Sequence, residues 1–153
     1  TNRIARRLRD ELGLAYTVNA SISSSAGVSP GTFTAYIGTS PENVDTAIEG
    51  FLREMRRIQT ELVTEAELDL VKGYLVGSFP MGYERTARRA SYLIASRIHK
   101  FPDDYLETLP QAFEAVTPAD IQRVAKKRLH PGACCLSASG PVKKADLRAA
   151  LRS

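Results

Sequence analysis

Histidine and cysteine are scarce in this chain, and that scarcity excludes more than any abundance suggests. Two histidines, His99 and His130, and two cysteines, Cys134 and Cys135, occur in 153 residues. Neither histidine has a second His or a Cys at ligand spacing, so no zinc site can be assembled from the sequence. The two cysteines are adjacent. Side chains of successive strand residues diverge and a bond between neighbours is strained, so they read as two free thiols. No run of about 18 apolar residues is present, so no membrane span is expected. The opening "TNRIARRLRD" lacks the apolar segment of a secretory signal. Ser23, Ser24 and Ser25 have no histidine at a readable spacing, which argues against a serine nucleophile.

What is present is an ordinary globular composition, 43% hydrophobic and 25% charged, with a net charge of +4. This length suits one domain, which buries roughly two thirds of its surface on folding. Arginines cluster at Arg3, Arg6, Arg7 and Arg9, at Arg53, Arg56 and Arg57, and at Arg85, Arg88 and Arg89. Each cluster falls on a helical pattern without interleaved aromatics, so it reads as a solvated helix face rather than a nucleic-acid track.

Ile4, Ala5, Leu8 and Leu12 repeat at helical spacing, predicting a helix over residues 2–12 with Gly13 as its left-handed cap. "LAYTVNASIS" alternates, with Tyr16, Val18, Ala20 and Ile22 on one face; "TFTAYIG" does the same with Phe33, Ala35 and Ile37. Together they predict an antiparallel pair. Ser40 and Pro41 open a helix with an apolar stripe of Val44, Ile48, Phe51, Leu52, Met55 and Ile58. Thr64 and Glu67 form a capping box for a helix reaching toward Pro80. Further helices are predicted over 83–99, with apolar Ala87, Ala90, Leu93, Ile94 and Ile98, then near Tyr105–Phe113, and from Pro118 to "HPG". "ACCLSAS" predicts a short buried strand, and residues 143–151 a final helix. His99, His130, Asp103, Asp104, Glu65 and Glu67 all fall at helix ends, where capping accounts for them. Strands segregated from helices predict an α+β fold: an antiparallel β-sheet backed by several helices. Three strands make a thin sheet for so many helices, so partner strands are expected upstream of Thr1 or in another chain. No linker or repeat divides residues 1–153.

"LRDELGLAYTV", "GTFTAYIGTSPENVDTAIEGFLREMRRI", "ELVTEAELDLVKGYLVGSFP" and "AVTPADIQRVAKKRL" follow one another in a family order. In these blocks the chain resembles the C-terminal domain of the insulinase, pitrilysin and mitochondrial processing peptidase family of zinc metallopeptidases. The resemblance runs from about residue 3 to Pro141. It implies a domain lacking its first strand and helix. It further implies partnership with a homologous domain, upstream or in a second subunit, that carries an H-x-x-E-H zinc motif and closes with it around an unfolded peptide. No such motif occurs in this sequence. Zinc is therefore expected in the partner domain and no cofactor in this chain, which alone should be inactive. The resemblance assigns Arg9 and Tyr16 to substrate binding and oxyanion stabilisation. A catalytically inactive structural or interaction subunit of the same fold is the alternative. The incomplete sheet leaves room for self-association, and no nucleic-acid partner is implied.

Overall fold

A computed structural model describes residues 3–23, 29–141 and 147. The predicted final helix lies outside these residues except for Leu147. The chain divides into two compact units, one of residues 1–61 with 124–153 and one of residues 62–123.

In the first unit, helix α1 has α geometry over Arg3–Ala5 and π geometry over Arg6–Glu11. The backbone N–H of Leu12 donates to the carbonyl of Arg7, five residues back, and that of Leu14 to Leu8, at 3.1 and 2.9 Å. Strands β1 (Thr17–Ile22) and β2 (Phe33–Gly38) pair antiparallel, from Thr17 opposite Gly38 to Ile22 opposite Phe33. This register puts Val18 against Ile37 and Ala20 against Ala35, the faces that the alternation predicts.

A 3-10 turn, Pro41–Asn43, leads into helix α2 (Val44–Thr60). The predicted stripe is real: Ile48 and Leu52 are buried and pack with Val44 and Leu147. The helix also buries a second face, carrying Ala47, Gly50 and Glu54. Leu8 of α1 is fully buried and presses on Gly50, where a β-carbon would collide with a Leu8 methyl. Glycine at residue 50 thus lets the two helices approach more closely than any other residue would allow. The side-chain amide of Gln59 donates to the carbonyls of Ala125 and Leu129 at 3.3 and 2.7 Å, tying the end of α2 to the last turn of helix α6 (Pro118–Arg128).

In the second unit, α3 (Glu65–Ser78) starts with the full capping box: the Glu67 N–H donates to the Thr64 hydroxyl, and the Thr64 N–H to the Glu67 carboxylate. A 3-10 turn (Pro80–Tyr83) leads to α4 (Thr86–His99), which ends on Lys100 in the left-handed region at φ 55°. Helix α5 (Tyr105–Glu114) follows, and the Lys72 ammonium donates to the carbonyl of Glu114 at 2.7 Å. A relay of rings holds these elements: Phe79 on Tyr83, Tyr83 edge-on to Tyr92, Tyr92 on Tyr105 and Tyr105 on Phe101. The start of α6 repeats the capping idea with an aspartate: the Asp120 N–H donates to the Thr117 hydroxyl, which itself donates to the Asp120 carboxylate at 2.6 Å.

The described residues therefore form an α+β arrangement in which helices dominate a two-stranded sheet. "ACCLSAS" corrects the expectation of a buried strand. Residues 133–139 join no ladder, and both cysteines are free and exposed. The segment has the apolar content of a strand, but among the described residues no neighbouring strand pairs with its backbone.

Candidate active-site junction of helix and strand

The connection from α1 to β1 is short and tightly held. Gly13 takes φ +61°, the left-handed conformation that suits glycine, and its N–H caps the Arg9 carbonyl at 3.2 Å. The Thr39 hydroxyl, just after β2, donates to the Leu14 carbonyl at 2.7 Å and anchors the connection to the sheet. Tyr16 occupies a bend immediately before β1. It therefore lies outside the strand, and the alternation that groups it with Val18 and Ala20 does not govern it. Its ring is 94% exposed.

Arg9 sits in the π-helical turn. Its Nε donates to Asp10 Oδ1 at 2.8 Å, in an exposed pair of neighbouring residues. That bond, and the Asp10 charge behind it, raise the guanidinium's pKa; Tyr16 adds a smaller electrostatic contribution. The same bond lowers the Asp10 carboxyl. Arg9 thus stays cationic, and the exposed Tyr16 phenol is near enough to act on it electrostatically. One end of its fork is held, and its terminal nitrogens remain for another acceptor.

The other residues considered in the sequence fall elsewhere. His99 stacks near Phe101 in the second unit, and His130 lies beside the cysteine segment in the first. The Ser23 hydroxyl accepts a backbone N–H from Thr32 at 3.1 Å. Ser24 and Ser25 lie outside the described residues. Among the described residues no group of three His, Cys, Asp or Glu side chains is placed to hold a metal ion. The donor set among the described residues thus does not fit zinc. No described helix is long and apolar enough to cross a membrane.

Two cavities were not legible in the sequence. Arg3, Arg6, Arg7, Arg53 and Arg57 converge with Glu11 and Glu54 around a pocket of about 270 Å³. The arginine runs here are therefore not simply solvated faces. Arg7 bonds Glu11 at 2.6 Å, Arg57 bonds Glu61 at 2.7 Å, and Glu54 is buried with Arg57 3.8 Å away. A second, apolar hollow of about 560 Å³ lies between β2, α2 and residues 128–137, with Phe33, Phe51, Met55 and Leu136 in its walls. Both depend on contacts between elements distant in sequence, which periodicity within one element does not report.

Residues 1–75 match the family described as "Peptidase M16 inactive domain". A protein of Mycobacterium tuberculosis (strain ATCC 25618 / H37Rv) named as an uncharacterized zinc protease is 26% identical over 129 residues, covering 84% of this chain and 29% of the relative. One of Streptomyces coelicolor with the same description is 27% identical over 145 residues, covering 94% of this chain and 30% of the relative. Over residues 1–75, just under half of its length, the chain is similar to the C-terminal, inactive domain of the M16, or insulinase, peptidase family. It spans about three tenths of the length of these curated relatives.

Proposed function

We propose that this chain is the non-metal half of a zinc-dependent endopeptidase, and that Arg9 and Tyr16 are its contribution to the active site. The observation that carries this reading is the junction itself. A cation held by Asp10 and an almost fully exposed phenol stand on either side of one glycine-capped turn.

The chemistry follows from the two side chains. When a peptide carbonyl is attacked, negative charge grows on its oxygen. A Tyr16 hydroxyl aimed at that oxygen donates a hydrogen bond that strengthens as the charge develops. Arg9 offers a rigid donor fork suited to a substrate backbone carbonyl, and Asp10 fixes its direction through Nε. Placing one group at a helix end and the other at a strand entrance lets them approach a common point. The same spacing inside one helix would put them about two turns apart. The metal and the general base belong to a homologous H-x-x-E-H domain, in the same polypeptide or a second subunit, and the substrate is an unfolded peptide held between the two.

The test is Tyr16→Phe in the assembled peptidase. Loss of one oxyanion donor lowers kcat on the order of 100-fold with KM little changed. An unchanged kcat removes Tyr16 from the chemistry. Arg9→Ala is expected to raise KM as well. The structural-subunit reading would be favoured by recovery of the chain in a stable complex that lacks any H-x-x-E-H protein.

A further inference from the structure

Leu14 lies between Arg9 and Tyr16 in the chain, and its backbone is held from both sides. Its N–H donates to the Leu8 carbonyl of α1 at 2.9 Å. Its carbonyl accepts from the Thr39 hydroxyl at 2.7 Å, across 25 positions of sequence. The first bond ties the junction to the helix that carries Arg9. The second ties it to the end of β2. All of these residues belong to the first unit.

The Thr39 bond is unlike the rest of the contact between β1 and β2. The ladder runs from Ile22 opposite Phe33 to Thr17 opposite Gly38. One step further would set Tyr16 opposite Thr39 and bring the phenol into the regular alternation of the sheet. Tyr16 instead occupies a bend, with its ring almost wholly exposed. At that step Thr39 uses its side chain, and it reaches a carbonyl two residues before Tyr16. Leu14 and Thr39 are both half-buried, so a Leu14 carbonyl deprived of this donor is costly to leave without a partner.

We propose that Thr39 is a positioning residue for the Arg9–Tyr16 junction: its hydroxyl, acting through the Leu14 carbonyl, sets where the Tyr16 phenol stands relative to Arg9. The inference rests on the active-site reading above and gives Thr39 no chemical step of its own. A donor aimed at a developing charge loses rate steeply when it is misplaced by about 1 Å, so the bond that fixes its backbone matters to the rate.

Steady-state kinetics of the assembled peptidase test this. Thr39→Val keeps the shape of the side chain and removes the donor; it is expected to lower kcat about tenfold with KM little changed. Thr39→Ser keeps the hydroxyl and should stay within about twofold of the parent enzyme. In a Tyr16→Phe background the loss from Thr39→Val should shrink below about threefold, because the group being aimed is already gone. Circular dichroism melting checks the fold, and Thr39→Ala carries the same expectations should the valine variant not fold. An unchanged kcat in Thr39→Val, beside an impaired Tyr16→Phe, overturns the proposal and leaves the active-site reading standing. So does a serine variant as slow as the valine one, or a valine loss equally large in the Tyr16→Phe background. An unchanged kcat in Tyr16→Phe alone overturns the active-site reading, and this inference with it.

Discussion

The two units of the chain are stabilised by different means. The first keeps its apolar residues inside: Ile4, Ala5, Leu8, Ala47, Ile48, Leu52 and Ala125 are all buried. In the second, Leu68 is the one buried apolar residue among those described, while Leu70, Tyr74, Leu93, Ile94 and Ile98 are exposed. Its order comes from ends and edges instead, namely a capping box, a left-handed helix stop and a relay of rings. The comparison teaches that helical periodicity marks apolar faces without saying what covers them. In α2 the stripe meets residues of its own unit; in α4 the described residues of its unit pack on the other side of the helix.

Substitutions can break or sharpen this contrast. The largest effect is expected in the first unit, where Leu8→Ala removes a fully buried side chain and should cost about 3 kcal/mol in urea unfolding. The same exchange at exposed Leu70 should stay within about 0.5 kcal/mol. Equal losses at the two positions would erase the distinction. Next comes Thr64→Ala, which deletes the hydroxyl arm of the α3 capping box and should cost about 1 kcal/mol, read as earlier melting of helical circular dichroism.

The smallest effect is a pH dependence at α6. Hydrogen bonds from Thr117, then from Arg123, hold the Asp120 carboxyl down to about 2. An unfolded aspartate titrates near 3.9. A depressed folded value means that the ionised cap stabilises fully above the unfolded value, and that this contribution is lost as pH falls through about 2. Amide chemical shifts of Thr117 and Asp120 should therefore move only in strongly acid solution, and Asp120→Asn should remove that transition.

Features decided by near neighbours were legible in the sequence. The Thr64–Glu67 box, the Gly13 cap and the facing of Val18 and Ile37 each depend on a few adjacent residues or on one simple register. The spacing of Arg9 and Tyr16 was legible too, but not the π turn that carries Arg9 or the later start of β1 at Thr17 that leaves Tyr16 outside the strand. Residues 133–139 were misread because an apolar alternation becomes a strand only when another backbone is there to receive its hydrogen bonds. The buried Glu54 was missed for a similar reason, since its burial comes from α1 packing on a second face of α2.

Leu8 rests on bare backbone at Gly50, one position before Arg9 in the chain. The helix that bears the guanidinium is thus seated on the α2 backbone through the Leu8 side chain alone. Adding even a methyl group at residue 50 would force the Leu8 side chain to shift. If Arg9 holds substrate as proposed, residue 50 tunes that hold from a position outside the junction.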